Sequence, residues 1–179
     1  MVNSSISAIV WIVLGACIVA AFTDLRSRRV PNVLSFGLAV VVLGFAATHG
    51  VVSFLISIAI YLGVMFLGLF AFSAGWLGGG DVKLAAAAAA AFGYPGSLEF
   101  LIYMSLGGGL LAIAVAIARG RLATTVSGTL GVMRPLAYRG AVSVAPRDSI
   151  RLPYACAIAF GAAVFALANS VAPFLRLPL

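Results

Sequence analysis

Residues 5–29, SISAIVWIVLGACIVAAFTDLRSRR, decide the class of this protein. An apolar run ends abruptly in an aspartate and three arginines, and the run is as long as the roughly 20 residues that a helix needs to cross a bilayer. No Lys or Arg precedes the apolar stretch, whereas a secretory signal begins with a basic segment, so we expect a retained membrane anchor. The stretch therefore predicts an integral membrane protein.

The composition of the whole chain agrees with that prediction. Of its 179 residues, 64% are hydrophobic and 8% are charged, against about 45–50% and about 25% in soluble domains. Too few polar side chains are present to cover a surface exposed to water. The net charge is +7, but the arginines lie between apolar runs, so we expect the lipid bilayer as partner and no nucleic acid.

Six apolar runs are long enough to be considered as membrane spans, and they predict an all-α polytopic protein with about six transmembrane helices. The runs cover residues 5–23, 33–48, 51–72, 77–94, 98–118 and 153–174. The fourth run is the weakest, because it begins in glycines and contains Asp81 and Lys83. We treat residues 1–179 as a single membrane domain with one larger loop at 119–152.

The basic residues predict the orientation of the spans. Positive side chains gather on the cytoplasmic side of membrane proteins. If the N-terminus is external, every basic residue except Arg176 falls on the cytoplasmic side. Both termini are then external, loop 119–152 is cytoplasmic, and short external turns lie at 49–50 and 93–97.

The large loop contains apolar residues at helical spacing between its arginines. These residues are Leu122, Val126, Leu130, Met133 and Leu136. The spacing favours a helix that lies on the anionic inner leaflet, and the alternative is a solvated basic loop.

Two of the four acidic residues, Asp24 and Asp81, stand at the predicted cytoplasmic ends of different spans. A carboxylate at the membrane boundary is expensive, and it is usually paired, solvated or functional. Taken alone, Asp24 is explained by an ion pair with Arg26, Arg28 or Arg29, and Asp81 by a helix N-cap. The glycines at 78–80 that precede Asp81 change this balance, because backbone without Cβ atoms lets an extended peptide approach the carboxylate or allows a positive φ at Gly80.

The chemistry available to this pair is narrow. The only histidine is His49, and Cys17 and Cys156 lie singly in apolar runs, so we expect no metal, no cofactor and no structural disulfide. Two carboxylates at one depth can share a proton and activate water against an amide, as in a protease dyad. Proton relay or transport is the open alternative from spacing alone.

Three segments resemble the type IV prepilin peptidases, a family of membrane aspartyl proteases with a GxGD motif. Residues 78–84, GGGDVKL, resemble the GxGD segment and its following Lys. Residues 24–32, DLRSRRVPN, resemble the family's first motif, an Asp followed by basic residues and Pro-Asn. Residues 153–159, PYACAIA, resemble the Pro-Tyr start of its last span. The resemblance extends over most of the chain, from Ser5 to about Phe174.

The resemblance implies an aspartic endopeptidase that removes the basic leader of prepilins or pseudopilins at the cytoplasmic face of a bacterial inner membrane. Asp24 and Asp81 would be catalytic. The supporting residues would be Gly78, Gly80, Lys83, Pro31 and Asn32. No insert with paired CxxC cysteines separates the first two spans, so the chain resembles the short form that accompanies Flp-type, tight-adherence pili, and we expect no methyltransferase activity.

Two other classes compete with a protease: a small proton-coupled transporter and a non-catalytic pilus assembly factor. A transporter usually has polar residues near the bilayer midplane and an internal repeat, and neither pattern is visible here. An assembly factor would need neither acid. We interpret Glu99 as a boundary carboxylate, His49 as a solvated turn residue, and Trp76 as an interfacial aromatic close enough to the glycines to contact a substrate.

Overall fold

A computed structural model of the protein describes four stretches of the chain, residues 4–27, 29–73, 77–118 and 154–170. The helices are α1 (Ser4–Ser27), α2 (Asn32–Thr48), α3 (Val51–Ser73), α4 (Gly79–Ala118) and α5 (Tyr154–Ser170). No strand occurs within these stretches, so the predicted all-α class is confirmed. The loop at 119–152 and its proposed surface helix lie outside the described residues.

Three helical segments are long and apolar enough to cross a membrane: Ala8–Ser27, Val51–Ser73 and Gly79–Val115. Helices α2 and α5 are equally apolar in character but shorter, with 17 residues each. These lengths agree with a membrane protein, because a helix rises about 1.5 Å per residue and the hydrocarbon core is about 30 Å thick.

Helix α4 is interrupted at the place where the sequence predicted a turn between two spans. Gly93 has φ 60° and ψ −170°, and Tyr94 has φ −96° and ψ 136°, so neither residue is helical. Glycine adopts the positive φ because it has no Cβ, and Pro95 keeps the residue before it extended. The predicted runs 77–94 and 98–118 thus follow one another within α4, on either side of this break.

The first half of α4 is surrounded by other helices. Leu84 and the alanines at 85–90 are buried, with exposed fractions between 0% and 6%. Helix α1 contributes a buried stripe at Val13, Cys17 and Ala20, and α2 contributes Leu38 and Val42. Small side chains on all faces of α4 let these helices approach closely, as is common in membrane bundles.

Glycines also set the contact between the second half of α4 and α5. A Cβ on Gly161 would lie 2.8 Å from the backbone N and Cα of Met104. A Cβ on Gly96 would lie 3.0 Å from the Phe165 ring, which itself packs on Phe92 with 4.1 Å between ring centroids. Because backbone atoms form one side of the contact at Gly161, the two helices are as close there as glycine permits.

Helix α3 exposes most of its apolar side chains, and Ser57 is the one residue of α3 that is buried. Phe66, Leu67 and Phe70 are each more than 60% exposed. Exposure of this kind is unfavourable in water and neutral in lipid, whose acyl chains solvate such side chains. The surface of α3 is therefore that of a lipid-facing helix.

Two compact units make up the chain, residues 1–108 with 153–179, and residues 109–152. Every contact described below lies within the first unit.

Candidate active site

Asp24 lies inside α1, because the helix continues to Ser27, beyond the end of the predicted span at residue 23. Its side chain is 8% exposed. Asp24 Oδ2 accepts a hydrogen bond from the backbone N–H of Ala155 at 3.4 Å. The first N–H groups of a helix lack partners within the helix and form its positive end. The N-terminus of α5 therefore stabilises the Asp24 carboxylate.

The alternative of a boundary carboxylate paired with arginine has no support in the described part of the chain. There Asp24 makes its hydrogen bond to α5 and no ion pair with Arg26 or Arg29. Arg28 lies outside the described residues.

Asp81 lies in the first turn of α4 and is 9% exposed. Its Oδ2 accepts a hydrogen bond from the N–H of Gly78 at 3.3 Å, and the Gly78 carbonyl accepts one from the N–H of Val82 at 3.1 Å. Gly78 is thus the N-cap, and Asp81 reaches back to it like the acidic partner of a capping box. The interpretation of Asp81 as the N-cap is therefore wrong, because the N-cap lies three residues earlier, at Gly78.

The second oxygen of Asp81 has a different environment. Asp81 Oδ1 is buried, and no described residue makes a hydrogen bond to it. Buried carboxyl oxygens normally have a partner, so each exception requires an explanation. A substrate, a water molecule or a shared proton would satisfy this atom.

The structure brings the two aspartates together. The Asp24 carboxylate acts electrostatically on Asp81 although α1 and α4 are far apart in sequence. The first turn of α5 completes the group, with Tyr154 in electrostatic range of Asp81 and Cys156 in range of Asp24. Two neighbouring carboxyl groups resist simultaneous ionisation, because like charges repel each other. A pair of neighbouring carboxyl groups is an arrangement that general acid–base chemistry can use.

Three of the predicted supporting residues, Pro31, Asn32 and Lys83, lie at or contact the start of α2. Pro31 precedes α2, and its carbonyl accepts hydrogen bonds from the N–H groups of Leu34 and Ser35. Asn32 Oδ1 accepts a hydrogen bond from Lys83 Nζ at 3.4 Å. The same ammonium group lies 4.6 Å above the centre of the Phe36 ring, which is a favourable cation–π distance. Lys83 therefore joins the start of α4 to the start of α2.

Two of the glycines before Asp81 lie in close contacts. A Cβ on Gly80 would lie 3.0 Å from Val30 Cβ and from the Val30 carbonyl oxygen, and a Cβ on Gly78 would lie 2.7 Å from Asp81 Oδ2. Among the described glycines, positive φ angles occur at Gly50 and Gly93 and not in this segment. Of the two alternatives predicted for Gly80, a positive φ is therefore wrong. Gly80 also approaches the chain before α2, at Val30. The approach of an extended substrate along this segment stays a prediction.

Two contacts of the site were missed in the sequence. Ser35 is completely buried, and its Oγ donates a hydrogen bond to the Gly80 carbonyl oxygen at 3.3 Å. The sequence did contain a signal for Ser35, which is a hydroxyl at the start of an apolar run. Such a hydroxyl needs a hydrogen-bond partner if it is buried. The Ala155 donor had no signal at all, since a backbone N–H is the same in every residue but proline.

Glu99 lies beyond the break in α4, and its side chain is 7% exposed. The interpretation of Glu99 as a boundary carboxylate stays a prediction. It interacts electrostatically with Tyr103, four residues along the same helix. Trp76 lies outside the described residues, and His49 is exposed in the turn after α2, as expected.

These features define a class: an all-helical membrane protein with a buried pair of carboxyl groups where α1, α4 and α5 meet. In the part of the chain that the structure describes, no three His, Cys, Asp or Glu residues come together as metal ligands.

The chain belongs to the type IV leader peptidase family, whose model matches residues 11–113. The match covers more than half of the chain, includes Asp24 and Asp81, and ends before α5. It confirms the family resemblance, and it indicates a protease of the leader peptidase type. No curated protein and no solved structure matches the chain.

Proposed function

We propose that the protein is an aspartic endopeptidase that removes the leader peptides of type IV prepilins or pseudopilins of the Flp type. The main support is the approach of Asp24 and Asp81, two buried acids from distant parts of the sequence. Membership in the leader peptidase family supplies the class of substrate.

In the proposed reaction, one carboxylate of the pair takes a proton from a water molecule, and the oxygen of that water attacks the carbonyl carbon of the scissile amide. The protonated partner first hydrogen-bonds to the carbonyl oxygen, and the amide nitrogen leaves with a proton from the pair. The backbone N–H groups of Ala155 and Gly78 each hold one carboxyl oxygen. Asp81 Oδ1 remains for the shared proton or the water.

The proposed membrane arrangement has six crossings. Helices α1, α2, α3 and α5 contribute one each, and α4 contributes two because its backbone is not helical at Gly93 and Tyr94. The positive-inside rule then places the ends of α1 and α4 that contain the aspartates at the cytoplasmic face of a bacterial inner membrane. A substrate leader would reach the pair from the cytoplasm. This location at helix ends favours peptide cleavage over transport, which uses polar sites near the midplane.

The proposal is tested by co-expressing the protein with a Flp-type prepilin and following leader removal as a mobility shift. Asp24→Asn and Asp81→Asn should each abolish the shift, because an amide retains the shape but cannot share the proton. Glu99→Gln is the matched control, since it also replaces a buried acid by an amide, and it should retain cleavage. Substantial cleavage by Asp24→Asn would overturn the catalytic role of Asp24. A parent protein that does not cleave the prepilin would overturn the proposed substrate class.

The proposed short form also makes a prediction about the product. Because no cysteine-rich insert is present between α1 and α2, the mature pilin should leave the enzyme with an unmethylated N-terminal amine. Intact-mass measurement of the cleaved pilin checks this. A mass increase of one methyl group that depends on this protein would contradict it.

A further inference from the structure

We propose that Ser35 is a positioning residue of the active site, which fixes the peptide unit from which Asp81 projects. The inference rests on the proposed protease function and extends it to a residue outside the motif residues. Ser35 acts through the backbone of α4 and has no contact with the substrate.

The contact joins a buried side chain to a partly buried backbone carbonyl. Ser35 lies in the first turn of α2 and has an exposed fraction of 0%. Its Oγ donates a hydrogen bond to the Gly80 carbonyl oxygen, at a distance of 3.3 Å. A hydroxyl that is removed from water without a partner is strongly unfavourable, so the buried hydroxyl favours the geometry in which this bond is made.

The accepted carbonyl belongs to the peptide unit that joins Gly80 to Asp81. A peptide unit is planar, so the Gly80 carbonyl and the N and Cα atoms of Asp81 move together. Holding the carbonyl therefore holds the atom from which the Asp81 side chain begins. At its other end the side chain is held by the Gly78 N–H on Oδ2. With both ends of the residue held, the position of the remaining oxygen, Asp81 Oδ1, is fixed as well.

The close packing at Gly80 makes the contact possible. A Cβ on Gly80 would already lie 3.0 Å from Val30, so a larger residue would separate α4 from the start of α2. The second polar link between these elements, from Lys83 to Asn32, is exposed to competing water. The bond from Ser35 is better shielded, because it is partly buried, and we assign the precise placement of Asp81 to it.

Loss of this bond should affect the chemical step more than substrate binding. Without the hydroxyl, the first turn of α4 can shift against α2, and Asp81 then moves relative to Asp24. A misplacement of about 1 Å can reduce a rate by about 100-fold, whereas substrate binding distributed over a longer peptide changes little. For a shift smaller than that, we expect Ser35→Ala to lower kcat about 10-fold with KM within about twofold of the parent value.

The experiment uses the full-length protein in lipid nanodiscs with a purified prepilin. Ser35→Ala should lower kcat as stated and change the pH profile of kcat, because the acid–base pair is disturbed. Ser35→Thr keeps the hydroxyl and should restore most of kcat. Ser57→Ala is the matched control, since Ser57 is also a buried serine but lies in α3, and it should leave kcat and the pH profile unchanged.

Several outcomes would overturn the inference. One is a Ser35→Ala protein with parental kcat and pH profile. Another is a protein that is merely less stable, with kcat per folded molecule unchanged, and a third is a Thr variant no better than Ala.

A readout without substrate separates this inference from the proposed function. Amide hydrogen exchange at residues 81–83 should be faster in Ser35→Ala than in Ser57→Ala. If the parent cleaves no prepilin, the proposed function fails, and unchanged exchange in Ser35→Ala would independently show that the contact with Gly80 fixes nothing.

Discussion

At the scale of single residues, the two carboxyl groups are held by backbone amides of different elements. Asp24 is bound by the start of α5, and Asp81 by its own N-cap glycine. A shift of either helix would therefore move one acid without the other. The pair depends on how three helix ends are packed as well as on the two side chains.

The double variant of Asp24→Asn and Asp81→Asn should be about as inactive as either single variant. Residues that act as one catalytic unit are strongly non-additive. Removing a charge from a crowded buried pair should not destabilise the fold, so all three proteins should unfold thermally at or above the parent temperature. Prepilin cleavage and thermal unfolding in detergent measure the two effects. A double variant much slower than both singles would show that the acids act independently.

Gly80→Val should abolish cleavage, and Gly80→Ala should reduce it partly. A single Cβ at this position already lies 3.0 Å from Val30, and the nearest atoms include a backbone oxygen that cannot rotate away. Gly63→Ala is the control, because a Cβ on Gly63 meets nothing within 4 Å. The measurement is cleavage per amount of folded protein. Full activity of Gly80→Val would mean that this approach of α4 to residue 30 is not needed.

Lys83→Met should slow cleavage, but by less than either aspartate substitution. The ammonium group contacts Asn32 and the Phe36 ring near the surface, and such exposed contacts contribute on the order of 1 kcal/mol, equivalent to about a fivefold effect. Initial rates of leader removal in the mobility-shift assay compare Lys83→Met with the parent and with the two aspartate variants. A complete loss of activity would place Lys83 among the reacting groups.

The sequence predicted the acids of the site better than their partners. Asp24 and Asp81 stood out because charged residues are rare in a chain that is 64% hydrophobic. Ser35 and Ala155 did not, because their contribution is one hydrogen bond whose partner is remote in sequence. The close approach of Val30 to Gly80 was equally invisible, since it depends on how α2 is placed against α4.

At the scale of helices, hydropathy located the elements but not their ends. The first run was predicted to stop at residue 23, whereas α1 continues to Ser27. Backbone hydrogen bonds continue past the apolar run because polar side chains near a membrane boundary can extend toward water. This difference matters, because it places Asp24 inside a helix with a fixed direction.

Gly161→Ala should destabilise the packing of α5 against α4. A Cβ there would lie 2.8 Å from backbone atoms of Met104, so the helices must separate. Overpacking of this kind costs about 1–3 kcal/mol. Gly44→Ala, in an open position of α2, should be neutral or slightly stabilising. Denaturant unfolding in mixed micelles compares the two, and equal stabilities would contradict the close contact.

At the scale of the whole molecule, the charge distribution predicts one orientation in the bilayer. A reporter fused after Gly140 should be cytoplasmic, and reporters after Gly50 and at the C-terminus should be external. Alkaline phosphatase and green fluorescent protein fusions distinguish the two sides. If the fusion after Gly140 reports the external side, both the orientation and the proposed cytoplasmic position of the active site are wrong.

The alanines at 85–90 have a thermodynamic consequence for the helix that presents Asp81. A buried Leu or Met gives up about 0.5–2 kcal/mol of rotamer entropy when it is ordered, but alanine has no rotamers to lose. The alanine stretch of α4 is therefore ordered without freezing any side-chain torsion of its own. That stretch has no rotamers through which its own packing could change, and it follows directly on the turn of α4 that contains Asp81.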